Sequence, residues 1–211
     1  MASQYFFKSV NAVDPKPEDM VDTPPTAWEG SYVAAKTMLL AANTGSAASL
    51  AKSHLMGTDP DLHSLKGTGF VTPALATQTI ASQTWTLTLW AGLNILPVAI
   101  IPYIYARLFV WNGQTDAFRA FIGSTMSVQI TQAAQKAYTL TTVGSASPLD
   151  SDVIVCEVYF VVDDDPADPD AGSFLTLTHQ FNSAARNSNV NSPATIAELA
   201  GVPLYGQAWT P

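Results

Sequence analysis

The chain has 211 residues, of which 47% are hydrophobic and only 12% charged, and it carries a formal net charge of −8. With no cluster of Lys or Arg, it is a poor partner for nucleic acid or an anionic membrane surface. A surface so short of charge suits burial against other proteins better than free solution. The single cysteine, Cys156, excludes an intrachain disulfide, and its place within VIVCEVYF suits a buried, inert thiol.

The opening residues MASQYFFKSV lack a long apolar segment and a cleavage site, so they read as a short strand and not as a signal peptide. Synthesis in the cytoplasm without export is the matching expectation. Pro15, Pro17, Pro24 and Pro25 then crowd into VDPKPEDMVDTPPTAW, which forbids a helix and favours extended or turn backbone. The segment SYVAAKTMLLAANTGSAASLAKSHLMG is rich in small residues and leaves helix, strand and loop open.

From Gly67 onward the pattern is β. In TWTLTLW, Trp85, Leu87 and Leu89 point one way and Thr84, Thr86 and Thr88 the other. The apolar run WAGLNILPVAIIPYIYARLFVW, residues 90–111, is long enough to span a bilayer. Its two prolines, Pro97 and Pro102, and Arg107 make it a poor span. The better reading is a strand ending at Trp90, an apolar loop, and a strand from Tyr103 to Trp111. That strand sets Ile104, Ala106, Leu108 and Val110 against the core. NGQTD is a turn signal, MSVQI and AYTLTTV are short candidate strands, and DVIVCEVYFVV places Ile154, Cys156, Val158, Phe160 and Val162 inward. SFLTLTHQF alternates again. Short strands divided by Gly, Pro, Asn and Asp turns predict an all-β, antiparallel sandwich of jelly-roll type.

Three groups of residues carry candidate chemistry. The outward face Tyr103, Tyr105, Arg107, Phe109 and Trp111 has the composition of an interface hot spot. It also suits stacking on sugar rings, or a second packed layer. Tyr5, Phe6, Phe7 and Trp28 extend the candidate interface into the N-terminal segment. Asp163, Asp164, Asp165, Asp168 and Asp170 concentrate carboxylates in VVDDDPADPDAG. A hard cation such as calcium wants several such oxygens, while a charged turn that keeps a hairpin soluble needs them equally. Glu157, alone in mid-strand, is expected to pair with Arg107 or Lys136. His54, His63 and His179 share no metal-ligand spacing. No G-x-S-x-G elbow, P-loop, dinucleotide fingerprint or H-E-x-x-H occurs, so neither a catalytic residue nor a cofactor is expected.

The segments YFFKS, FVTPALATQTIASQTWTLTLW, ARLFVWNGQ, GSASPLDSDVIVCEVYFVV and FNSAARNSNVNSPATI together resemble β-sandwich virion proteins of tailed bacteriophages, of the decoration, cement or minor capsid type. The resemblance implies a non-enzymatic structural protein on the capsid surface of a virion. It would be made in the host cytoplasm and bind the major capsid protein, copies of itself, or both. A carbohydrate-binding host-attachment module and a tail or neck component are the alternatives. The expected organisation is an extended, Pro-rich N-terminal arm and connecting segment over 1–66, a sandwich domain over 67–196, and a tail over 197–211.

Overall fold

The computed structural model describes residues 2–11, 33–57, 63–112, 115, 117–163, 167 and 169–199. Among these residues there is no helix, and eleven strands carry the architecture. They are β1 (Gln4–Asn11), β2 (Val33–Leu39), β3 (Ala48–Leu55), β4 (His63–Val71), β5 (Ile80–Leu93), β6 (Ile101–Asn112), β7 (Ala117–Met126), β8 (Lys136–Ala146), β9 (Val153–Asp163), β10 (Phe174–Phe181) and β11 (Asn189–Asn191).

Hydrogen bonds link them in the order β3-β10-β5-β11-β1-β2-β4-β9-β6-β7, with β8 on the other side of β5. The path doubles back so that β3-β10-β5-β8 faces β4-β9-β6-β7, and β7 comes up against β8. All pairings are antiparallel except β2 with β4, which run parallel. The molecule is therefore an all-β, mainly antiparallel sandwich, as the alternating pattern predicts.

The two-residue period supplies the core. Trp85, Leu87 and Leu89 of β5 meet Ile104, Ala106, Leu108 and Val110 of β6 and Ile154, Cys156, Val158, Phe160 and Val162 of β9 in one apolar cluster. The indole N–H of Trp85 donates to the Gly144 carbonyl at 3.1 Å, which satisfies the one polar atom that this ring carries inward. Phe7 of β1 stacks on Phe70 of β4 with ring centroids 3.9 Å apart. The segment expected to be an arm thus contributes, in its described part, paired strands and core aromatics: Tyr5, Phe6 and Phe7 are all buried. Trp28 and the proline-rich stretch around it lie outside the described residues.

Several elements differ from the sequence reading. Residues 33–39 and 48–55, left open there, are strands. β5 continues to Leu93 and β6 starts at Ile101, so the apolar loop is shorter than expected. β7, AFRAFIGSTM, escapes the sequence reading altogether, and of the expected strand MSVQI only Met126 is in a strand. The cause is irregular pairing: the β6–β7 register shifts between Leu108 and Phe109 and again between Val110 and Trp111. Each such irregularity breaks the inward–outward alternation that a period-two reading needs. Residues 90–111 form parts of two strands and a loop. No helix among the described residues is long and apolar enough to cross a membrane.

Candidate functional site

β6 and β9 pair over their whole length, with Arg107 directly opposite Glu157 and Tyr105 opposite Tyr159. These side chains stand on the face away from the main core. Register alone puts the guanidinium beside the carboxylate, and Arg107 Nε donates to Glu157 Oε2 in a close ion pair. A second guanidinium nitrogen of Arg107 donates to the Tyr159 hydroxyl at 2.6 Å, and its central carbon lies 5.0 Å from the Tyr159 ring centroid. The Tyr105 ring meets the Tyr159 ring edge-on at 6.4 Å.

All three polar residues of this group are buried, Glu157 completely. Burial works against the Arg107 charge, but the Glu157 carboxylate and Tyr159 outweigh it and raise the Arg107 pKa above its ordinary value. Burial first, then the Glu157 charge, pushes the Tyr159 phenol far up, so it stays protonated. The Cys156 thiol, fully buried, is likewise pushed well up by burial and by Glu157, which makes it inert. Phe109, Trp111, Val71, Val153 and Val155 form a second apolar cluster beside this group, with Phe118 packed on it. Of the candidate interface face, Tyr103 and Tyr105 are half-buried while Arg107, Phe109 and Trp111 are packed inside the chain. A Trp111 ring only 1% exposed has no open face for stacking on a sugar.

The aspartates divide differently. Asp163 ends β9 and is exposed, and Asp170 lies in the turn before β10. Asp164, Asp165 and Asp168 lie outside the described residues. Among the described residues no three His, Cys, Asp or Glu side chains gather closely enough to hold a metal ion.

Sequence reasoning missed one constellation. His179 Nε2 lies 3.1 Å from Ser188 Oγ, a pairing of the kind that nucleophilic catalysis uses. Ser188 Oγ also donates to the Gln180 carbonyl at 2.7 Å and accepts from the Trp90 backbone N–H at 3.0 Å. With its one proton committed to Gln180, Ser188 accepts from His179 Nε2–H. The pair is therefore built the wrong way round for a histidine base. It is also closed: Ser188 is fully buried, and Phe7, Phe70 and Phe181 surround the imidazole. Burial lowers the His179 pKa to about 3. The two lie nine positions apart in sequence, and no motif marks such a spacing.

No family model matches the chain, and no curated protein does. Solved structures do. An aminopeptidase from a marine sediment Thaumarchaeota archaeon matches at 9% identity and a TM-score of 0.51, over 75% of this chain and 35% of its own. A CocE/NonD family hydrolase from Staphylococcus aureus matches at 9% identity and 0.47, over 94% of this chain and 36% of its own. An alpha-amino acid ester hydrolase matches at 13% identity and 0.43, over 61% of this chain and 25% of its own. The chain thus spans between a quarter and just over a third of the length of these proteins, and at 9% identity the likeness to the aminopeptidase is one of fold alone. The expectation of a non-enzymatic virion protein, with its carbohydrate-binding and tail alternatives, is corrected by this result: the solved structure that the sandwich matches at a TM-score of 0.51 is an aminopeptidase.

Proposed function

We propose that this chain serves in a hydrolase, as the β-sandwich portion on which a catalytic portion is assembled, and that the reaction is amide cleavage of the aminopeptidase kind. The observation that carries this reading is the fit of three quarters of the chain to about a third of an aminopeptidase. Acyl transfer to water needs an accessible nucleophile or bound water, a base able to take its proton, and donors for the oxyanion. The described His–Ser pair meets none of these needs, so the hydrolytic groups are assigned to the catalytic portion assembled on the sandwich. What the sandwich supplies is rigidity: two layers locked by one apolar core, with the Arg107–Glu157–Tyr159 group fixing the β6–β9 register.

Hydrolysis of amino-acid p-nitroanilides tests the reading, measured on the purified chain and on the assembly isolated with it under native conditions. The expected result is turnover by the assembly and none by the chain alone. An assembly without turnover, or turnover by the isolated chain that Ser188→Ala abolishes, overturns it.

A further inference from the structure

β7 and β8 close one side of the sandwich without pairing. β8 is hydrogen-bonded to β5 and β7 to β6, and among the described residues no backbone hydrogen bond joins β7 to β8. The two meet where Gly123 faces Thr142 and Gly144 faces Ile122. Residue numbers rise on one strand as they fall on the other, so they run antiparallel. Beyond this contact they bound a cavity of about 260 Å³, walled by residues 125–128 on one side and 136–141 on the other.

Those walls are strand edges. Successive side chains of a strand point to opposite faces, so a cavity lying on one face would touch every second residue. This one touches six consecutive residues on the β8 side and four on the β7 side. It is therefore bordered by backbone, by the N–H and C=O groups that point away from β5 and β6. The space is below the usual range for a drug-sized ligand. Lys136, exposed and at the first position of β8, is the one charged residue of the lining. Its Nζ lies 5.6 Å from the Tyr138 ring centroid, and among the described residues no carboxylate pairs with it.

From these edges we infer that the cavity is a docking cleft for an extended peptide, which adds a strand along β8 and sets its C-terminal carboxylate against Lys136. In strand addition the affinity comes from main-chain hydrogen bonds, and unpaired main chain is what both walls offer. A peptide that ends at Lys136 runs antiparallel to β8, the more stable of the two ladders. Its other end meets the Gly123–Thr142 contact, which limits the added strand to the few residues opposite 136–141. A small anion would use Lys136 and leave the edges without partners. The inference goes beyond the hydrolase reading and does not rest on it.

Fluorescence anisotropy of the full chain with a labelled hexapeptide of alternating Thr and Val, free at its C-terminus, tests the inference. The expected result is saturable binding below about 1 mM. Two further peptides carry N-methyl groups on one or the other set of alternate backbone nitrogens, and at least one of them binds at least about tenfold more weakly. Amidation of the C-terminus weakens binding about threefold. Lys136→Gln, an exposed substitution, weakens the carboxylate peptide by the same factor and leaves the amidated one unchanged. Hydrogen exchange gives a second readout: with peptide bound, alternate amides within 136–141 exchange more slowly. Absence of binding at about 1 mM, equal binding of both N-methylated peptides and the parent, or a Lys136→Gln chain that treats the carboxylate and amidated peptides as the wild type does overturns the inference.

Discussion

Arg107 and Glu157 face each other at the midpoint of the β6–β9 ladder, desolvated and committed to one another. Removing one member leaves a buried, uncompensated charge, so Arg107→Met should destabilise the fold by about 3–5 kcal/mol. Arg107→Met with Glu157→Leu should recover most of that loss, because an apolar pair of similar volume leaves no orphaned charge. Urea unfolding of the two variants checks this, and equal losses would mean that the pair is not coupled. The sequence offered Arg107 or Lys136 as partner for Glu157, and the β6–β9 register selects Arg107. The His179–Ser188 contact was not legible, since it depends on how the turn after β10 folds back. His179 also has a titration consequence. Its pKa is about 3 in the fold against about 6.5 in an unfolded chain. The unfolded state therefore binds a proton that the native state refuses at pH values between these two. Stability is full above pH ~6.5 and falls by up to about 1.4 kcal/mol per pH unit towards pH ~3. His179→Gln should flatten that part of a melting-temperature profile measured against pH, and a slope that survives the substitution assigns the effect to other groups.

At the scale of elements, the meeting of β7 with β8 depends on glycine. A Cβ on Gly144 would overlap the Ile122 carbonyl oxygen, and one on Gly123 would run into the Thr142 side chain. The backbones approach closely there because neither residue has a side chain to hold them apart. Gly144→Ala should therefore destabilise the fold by at least about 1–3 kcal/mol, read as a lower urea midpoint at unchanged slope. An unaltered midpoint would show that β7 can move away freely. The same join explains which strands the sequence revealed. β6, β9 and β10 were read nearly to their ends, and of β5, Ile80–Leu93, the part from Thr84 to Trp90. β7 carries two register shifts and mixes Ala, Phe, Arg and Gly, so no periodic signal survives. β2 and β3 are built largely of Ala, Ser, Thr and Lys, whose burial depends on their neighbours and not on their own character.

For the whole molecule, alternation and the absence of helix-forming stretches were enough to indicate an all-β sandwich. The wrapped path through β11, β1 and β2 was not, because a three-residue strand and a parallel β2–β4 pair leave almost no local trace. Function was misread from the sequence for a related reason. Low charge and an aromatic row point equally to an occupied surface and to a strand buried on both faces, and the structure packs Arg107, Phe109 and Trp111 inside. The His179–Ser188 contact is sealed by three phenylalanines, so under the proposed function the sandwich carries the catalytic portion and does not supply its nucleophile. The most direct test removes the chain from its native assembly and adds it back while amino-acid p-nitroanilide turnover is followed. Turnover should fall on removal and return on addition of the wild-type chain, with Gly144→Ala restoring less of it. Turnover indifferent to the presence of the chain would contradict the proposed function.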